Sequence, residues 1–238
     1  MISWLRSRPG CNWSKVCRIA SWYVLFHPGL SWCQTSAVGN PDLKTNAIHR
    51  PELTLAPSVE SIWKGEIGDG FKSGACETGA AVGLGLGMKV LLSERAHDLA
   101  LAKAHFGWVF SDLRSQNKWY RGNWELLAEL FAGAQFRPDA DYVVGIGPLL
   151  RYNFATRSRW VPFLDGGGGV SATSIRDSDL STTFEYNLQA GAGTHYFYRK
   201  NAAVTFQYRF LHLSNAGMKF PNLGVNTSTM YLGLSWFY

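Results

Sequence analysis

Hydrophobic and polar residues alternate along the chain from about residue 74 to its last residue. Successive side chains of a β-strand point to opposite faces of a sheet, so this period of two predicts strands with one apolar and one polar face. The predicted seventh strand shows the alternation clearly, reading Val204-Thr205-Phe206-Gln207-Tyr208-Arg209-Phe210. Eight segments of this kind follow one another, and each is long enough to cross a lipid bilayer at a tilt.

The polar face of the predicted strands carries charges of both signs among many glycines. These charged residues are Lys103, Glu125, Glu129, Arg151, Asp165, Glu185 and Arg209. A crowded polar interior within an apolar, aromatic-flanked outer wall is typical of a small membrane-spanning barrel. Because isolated buried charge is costly, we expect five of these residues to point inward and to pair in one polar network: Glu125, Glu129, Arg151, Glu185 and Arg209.

The end of the chain favours the same architecture. Counting back from Tyr238, every second residue through Trp236, Leu234 and Leu232 is apolar, which is similar to the C-terminal signal by which bacterial barrels are recognised for assembly. The predicted fold is an all-β, eight-stranded antiparallel up-and-down transmembrane β-barrel over residues 74–238. A soluble lipocalin-like barrel is one alternative, but it would turn its apolar face inward and would need no aromatic C-terminus. A small pore is another, although eight strands leave little room inside.

The first 73 residues lack this alternation. Residues 1–37 carry basic residues first and then an apolar stretch, Ile19–Phe26, so they are predicted to be an export signal. Residues 38–73 show no clear periodicity and are predicted to be a leader or partly ordered segment. Export and a multi-pass membrane barrel together predict the outer membrane of a Gram-negative cell as the location.

Charge and cysteine usage exclude several other functions. The chain has a formal net charge of +6, but four of its 23 basic residues lie in residues 1–33, which contain no acids, and the remaining 19 stand against 17 acidic residues. Because those 19 are scattered along the chain, nucleic-acid binding is not expected. Three of the four cysteines, Cys11, Cys17 and Cys33, also lie in that stretch. Neither a disulfide framework within the barrel nor a structural metal site is therefore expected.

Two polar residues continue the apolar face of the seventh strand. His212 and Ser214 have the same parity as Phe210 and are therefore predicted to lie on the lipid-facing wall. A histidine and a serine two residues apart on one face can hydrogen-bond, as the activation of a hydroxyl by an imidazole requires. With the N-terminus in the periplasm, the seventh strand ends at the outer leaflet, so a hydrolase there could act only on a lipid. The spacing alone also fits two polar residues that simply lie at the headgroup boundary.

The run that contains these two residues is long and specific. It reads His212-Leu213-Ser214-Asn215-Ala216-Gly217-Met218-Lys219-Phe220-Pro221-Asn222-Leu223-Gly224-Val225, and it resembles the motif of the lipid A 3-O-deacylase (PagL-type) family of outer-membrane esterases. The resemblance implies an eight-stranded barrel that hydrolyses the ester-linked 3-hydroxyacyl chain of lipid A without a metal or cofactor. It also implies roles for four residues: Ser214 as nucleophile, His212 as general base, Asn222 in the oxyanion hole and Asn215 in shaping the site. The implied partner is lipopolysaccharide of the outer leaflet, and a homodimer is left open.

One position departs from the family's pattern. The family's third triad residue is a glutamate two residues after the last glycine of the motif, whereas this chain has Asn226 there. Even positions of the eighth strand are predicted to face outward beside His212, so Asn226 is expected to complete the catalytic group. An asparagine can orient an imidazole, but it cannot stabilise the imidazolium as a carboxylate does. The alternative function is therefore a catalytically inactive, structural or adhesive outer-membrane barrel related to this family.

Overall fold

The computed structural model describes residues 61–238, which contain a closed β-barrel. Its eight strands are β1 (Cys76–Gly87), β2 (Asp98–Val109), β3 (Gly122–Arg137), β4 (Asp141–Phe154), β5 (Trp160–Thr173), β6 (Phe184–Arg199), β7 (Ala202–Ser214) and β8 (Val225–Phe237). Each strand pairs antiparallel with the next, and β8 pairs with β1 to close the sheet. The predicted eight-stranded antiparallel barrel is confirmed. The predicted export signal at residues 1–37 and residues 38–60 of the predicted leader lie outside the described residues.

The side chains of the strands alternate between an apolar outer wall and an enclosed polar interior. Most even-numbered positions of β3, β4, β7 and β8 carry exposed apolar side chains, as the parity of the sequence predicts; examples are Leu126, Ile146, Phe206 and Trp236. An apolar outside and a polar inside suit a wall that faces hydrocarbon. Within residues 61–238, no helix is long and apolar enough to cross a membrane.

An ion-pair network fills the barrel interior. Arg151 lies 2.8 Å from Glu77 and 3.3 Å from Asp165. Arg209 lies 3.0 Å from Asp165 and also pairs with Glu129. These charges are buried, and burial is tolerated because each has an opposite charge beside it. The interior is therefore packed with paired side chains.

The predicted interior network is confirmed for Glu125, Glu129, Arg151 and Arg209, whereas the prediction for Glu185 was wrong in part. The carboxylates of Glu125 and Glu185 are both buried, and Glu125 lies 3.7 Å from Arg151. Glu185 instead accepts a hydrogen bond from the hydroxyl of Thr182 at 2.7 Å. It lies six residues along β6 from Gly191, which pairs with both Asp165 and Arg209 in the ladders. That separation is about 20 Å along a strand, so Glu185 is too far along the barrel to join the network.

One end of the barrel, here called the inner end, is packed by residues 61–75, which precede β1. Trp63 stacks on Phe71 with ring centroids 4.6 Å apart, and Phe71 stacks on Phe237 at 5.1 Å. The indole N–H of Trp63 donates to the carbonyl of Lys200 at 2.7 Å. These residues show no alternation in the sequence because they fold across the end of the barrel and not along a strand.

The opposite end, here called the outer end, carries the connections that surround the candidate site. The β1–β2 loop spans residues 88–97, the β5–β6 loop spans residues 174–183, and the β7–β8 loop spans residues 215–224. A hydrogen bond from the N–H of Gly224 to the carbonyl of Asp179, at 2.9 Å, joins the last two loops. The C-terminal end of β7 and the start of β8 therefore lie among connected loops.

Candidate active site

Three of the predicted site residues are hydrogen-bonded to one another at the outer end of the wall. His212 of β7 pairs across the ladder with Asn226 of β8. Nδ1 of His212 lies 2.7 Å from Oδ1 of Asn226, and Nε2 of His212 lies 3.1 Å from Oγ of Ser214. The structure thus brings together the serine and histidine of the motif and Asn226, which occupies the family's third triad position. His212 and Ser214 are half-buried, so both remain accessible from outside the barrel.

These hydrogen bonds decide which nitrogen of His212 carries the hydrogen. The amide oxygen of Asn226 can only accept, so Nδ1 of His212 donates to it. In the neutral ring Nε2 is then the acceptor, and it receives the hydrogen of the Ser214 hydroxyl. A general base needs this tautomer in order to take a proton from a serine.

Asn226 is fully buried, and both ends of its amide are hydrogen-bonded. Its Oδ1 accepts from His212, and its Nδ2 donates to the carbonyl of Val90 at 2.7 Å. Val90 belongs to the β1–β2 loop, which covers Asn226 and removes it from solvent. Sequence reasoning missed Val90, because it lies outside the motif and its contact arises only from the path of the loop.

Asn215 and Asn222 organise the β7–β8 loop that follows Ser214. The backbone N–H of Asn215 donates to Oδ1 of Asn222 at 2.9 Å. The buried side chain of Asn215 donates to the carbonyl of Lys219 at 2.9 Å and accepts the N–H of Gly217 at 3.0 Å. Asn215 therefore uses its amide to hold the loop. Asn222 uses its oxygen in the same way, which leaves its Nδ2 group as the donor that could face a developing oxyanion.

Gly224, the last glycine of the motif, packs against the ring of His212. Its φ is +86°, in the left-handed region that favours glycine. A Cβ at this position would lie 2.7 Å from Cε1 of His212. The absence of a side chain is therefore what allows the imidazole to keep its position. Gly224 had no predicted role, although its place as the last glycine of the motif could have indicated one.

Asp179 of the β5–β6 loop anchors two neighbouring loops. Its carboxylate accepts the backbone N–H groups of Glu94 at 2.8 Å and Arg95 at 2.9 Å, and the hydroxyl of Ser93 at 2.8 Å. Burial opposes its charged form, but these hydrogen bonds outweigh that effect and hold the pKa of the Asp179 carboxyl below its ordinary value of 3.8. Through its own carbonyl Asp179 also fixes Gly224. No pattern in the sequence singled it out.

Asp179 also belongs to a cluster with the composition of a metal site. Within the described part of the chain, ligand-type atoms of His97, Asp177 and Asp179 lie within 4.8 Å of one another. His97 is held by hydrogen bonds to Gln135 at 2.7 Å and to Asp179 at 3.0 Å. Because protein groups already satisfy these ligand atoms, we interpret the cluster as a connection between loops and assign it no metal.

Comparison with protein families identifies what the barrel is similar to. A family model described as lipid A 3-O-deacylase (PagL) matches residues 80–235. A stretch of 91 residues is 31% identical to the lipid A deacylase PagL of Pseudomonas aeruginosa. That alignment covers 37% of this chain and 50% of the relative, so the chain spans about half the length of the curated relative it matches.

Two solved structures are also similar. The crystal structure of the outer membrane enzyme PagL has 22% sequence identity and a TM-score of 0.47, and covers 66% of this chain and 97% of that one. The crystal structure of Neisserial surface protein A has 15% identity and a TM-score of 0.51, and covers 68% of this chain and 98% of that one. The second likeness supports the barrel fold.

Proposed function

This chain belongs to the lipid A 3-O-deacylase (PagL) family of outer-membrane β-barrels, and we propose that it is an active serine esterase. Its substrate is lipid A of the outer leaflet, and the bond that it hydrolyses is the ester of the 3-linked hydroxyacyl chain. The observation that supports this most strongly is the hydrogen-bonded chain of Ser214, His212 and Asn226 at the end of an otherwise apolar wall.

In the first half of the reaction, Oγ of Ser214 attacks the carbonyl carbon of the ester. Nε2 of His212 takes the hydroxyl proton as the new bond forms, and the carbonyl oxygen becomes an oxyanion. Nδ2 of Asn222 is the side-chain donor available to stabilise that charge. The bond between the carbonyl carbon and the sugar oxygen then breaks, the sugar oxygen receives the proton from His212, and the acyl chain remains on Ser214 as an ester.

In the second half, water replaces the sugar. His212 takes a proton from the water as its oxygen attacks the acyl carbon, and it returns the proton to Oγ of Ser214 as that bond breaks. The products are the free 3-hydroxy fatty acid and the restored serine. Throughout the reaction, Asn226 keeps the ring of His212 in place by accepting the hydrogen bond from its Nδ1. As a neutral group, Asn226 stabilises the imidazolium less than a carboxylate would.

The position of the site on the wall supports a lipid as the substrate. Ser214 is the last residue of β7 and pairs across the ladder with Tyr186 of β6. On the same face of β7, Phe206 and Tyr208 are exposed on the apolar wall. A molecule whose ester reaches Ser214 would therefore lay its acyl chain along this wall, with its head group at the outer end of the barrel.

The inactive structural barrel remains the second candidate, and one observation favours it. Asn226 provides the position and the tautomer of His212 but no negative charge. If that charge is indispensable here, the protein keeps the geometry of the site without its activity.

The proposal is tested by incubating the purified barrel with lipopolysaccharide and measuring free 3-hydroxy fatty acid by mass spectrometry. We expect release by the wild type, and Ser214→Ala and His212→Ala should each lower the rate by at least about a thousandfold. Ser228→Ala is the matched control, since the Ser228 hydroxyl donates to Tyr208 at 2.7 Å and has no histidine partner. A wild type that releases no fatty acid, or a Ser214→Ala variant that still does, would contradict the proposal.

A further inference from the structure

The β1–β2 loop passes over the outside of the wall beside Ser214, His212 and Asn226, here called the candidate triad. The N–H of Met88 donates to the carbonyl of Asn226 at 2.8 Å, which extends the pairing between β1 and β8. Two residues later, the carbonyl of Val90 accepts from the side chain of Asn226. Because Asn226 occupies an outward position of β8, the loop backbone at Val90 lies on the lipid side of the wall and not over the barrel mouth.

The next two residues of this loop are leucines that project from it. The side chains of Leu91 and Leu92 are 64% and 81% exposed. Their φ angles are +51° and +76°, in the left-handed region that bulky residues rarely adopt. Such strained conformations persist only where the surrounding structure holds them, and they are concentrated at ligand clamps and active sites.

The surrounding structure does hold both ends of this short segment. On one side Val90 is bonded to Asn226, and on the other side the hydroxyl of Ser93 donates to Asp179. Ser93 and Asp179 are buried, and the backbone of Glu94 donates to the same carboxylate. Leu91 and Leu92 therefore form a short bridge between two fixed points, which turns their side chains outward.

We propose that Leu91 and Leu92 form a contact surface for the acyl chains of the lipid that the candidate triad cleaves. The surface continues the apolar wall of β1, where Leu84 and Leu86 are also exposed. Exposure of two adjacent leucines to water is unfavourable, whereas hydrocarbon chains would cover them at no such cost. The loop that carries the leucines also holds Asn226, so an acyl chain bound there lies directly beside the triad. This inference rests on the proposed function for the identity of the lipid.

The location of the surface is tested without any measurement of activity. Cysteine is introduced at Leu92, in a background with Cys11, Cys17, Cys33 and Cys76 replaced by alanine, and is labelled with an environment-sensitive fluorophore. The barrel is reconstituted in vesicles that contain lipopolysaccharide, and its folding is checked by heat-modifiable gel mobility. We expect strong quenching by lipids with nitroxide-labelled acyl chains and weak quenching by aqueous iodide.

A label at Asp139 of the β3–β4 connection is the matched control, because that side chain is exposed at the outer end and is charged. It should be quenched by iodide and not by the lipid nitroxide. If the label at residue 92 behaves like the label at residue 139, the leucines face water and the proposal is overturned. Quenching by neither reagent would indicate cover by protein, such as a second copy of this chain, and would overturn it as well.

The contribution of the surface to turnover is tested with the double variant Leu91→Asn/Leu92→Asn. We expect its rate on lipopolysaccharide in vesicles to fall by about tenfold or more, because apolar contacts of this size discriminate substrates to that extent. Its rate on a short-chain, water-soluble ester should stay near that of the wild type, because the triad is unchanged. The control Leu126→Asn/Leu130→Asn makes the same change on the wall at β3, away from the triad.

The two tests separate this inference from the proposed function. Equal rates of the double variant and the wild type on lipopolysaccharide would overturn the acyl-chain surface while leaving the esterase in place. Equal losses on both substrates would show damage to the triad and would also overturn it. If the wild type cleaves neither substrate, the proposed function fails, and the quenching experiment alone decides whether the leucines contact lipid.

Discussion

At position 226 the chain carries an amide where the family's pattern has a carboxylate. The amide makes two hydrogen bonds: its oxygen accepts from His212 and so orients the ring, and its nitrogen donates to the carbonyl of Val90. A carboxylate would also accept from His212 and would add negative charge, but it could not donate to the carbonyl of Val90. In the proposed mechanism, Asn226 therefore stabilises the imidazolium less than a carboxylate would, but it holds the β1–β2 loop through Val90.

Asn226→Glu should raise the rate of fatty acid release, because a carboxylate favours the imidazolium that forms during attack. We expect a gain of about tenfold, well below the factor of 10⁴ by which a triad carboxylate and its amide differ in serine proteases. The gain is limited because the contact with Val90 is lost. Rates measured on lipopolysaccharide under single-turnover conditions check this. An unchanged or lower rate would mean that charge at this position is not what limits the reaction.

Gly224→Ala should lower activity by about a hundredfold, because its Cβ would displace the imidazole of His212 and small misplacements cost that much. Gly217→Ala is a matched control in the same loop. Gly217 also has a positive φ, of +79°, but a Cβ there meets nothing within 4 Å. Both variants carry backbone strain of about 1–2 kcal/mol, so equal rates for the two would show that strain in the loop, and not contact with His212, controls activity.

At the scale of elements, the eight strands could be predicted from the sequence and the loops could not. Alternation gives each strand residue its face, so parity places His212 and Asn226 on the same outward face, whereas their pairing across the ladder is set by the register of β7 and β8. Loops have no such period, so the contacts that Val90 and Asp179 make with the site could not be predicted from the sequence. Glu185 shows the limit of parity: it points inward as predicted, but parity says nothing about how far along the barrel its partners lie.

The order of the three loops at the outer end should depend on the negative charge of Asp179. Its folded pKa lies below 3.8, so the anchor is fully present above pH 3.8 and is lost as the pH falls below that value, through the folded pKa. Hydrogen exchange of residues 88–97, corrected for intrinsic rates, should therefore accelerate in the wild type as the pH falls below 3.8. In Asp179→Asn the exchange should be fast already and should show no such acceleration.

Asp139→Asn is the control for this pH dependence. Its carboxylate lies 3.5 Å from Arg95 in a largely exposed pair, which contributes little to stability. This variant should keep the pH profile of the wild type. If it shifts the profile as much as Asp179→Asn does, the general charge of the loops and not the buried anchor controls their order.

For the whole molecule, the interior network connects opposite walls of the barrel. Arg151 forms ion pairs with three carboxylates, those of Glu77, Glu125 and Asp165. Removal of one partner from a buried ion pair leaves uncompensated charge, which is more costly than the pair was favourable. The stability of the barrel should therefore depend on single interior residues far more than on the many residues of its wall.

Arg151→Met should lower the free energy of unfolding by about 3–5 kcal/mol, because it leaves buried carboxylates unpaired. Urea titration of the barrel in vesicles, followed by tryptophan fluorescence, measures the change. Arg157→Met is the control, since Arg157 is exposed and lies 3.4 Å from the partly exposed Asp69. Similar midpoints for the two variants would mean that the interior network is not a main source of stability.

Mass spectrometry of lipid A from Gram-negative cells that express this chain tests whether Ser214 removes the 3-linked hydroxyacyl chain of lipid A from the lipid side of the barrel. We expect lipid A lighter by one ester-linked 3-hydroxyacyl chain in cells with the wild type, and unmodified lipid A in cells with Ser214→Ala at equal levels of folded barrel. Unmodified lipid A in both, or the same loss in both, would show that Ser214 does not remove this chain.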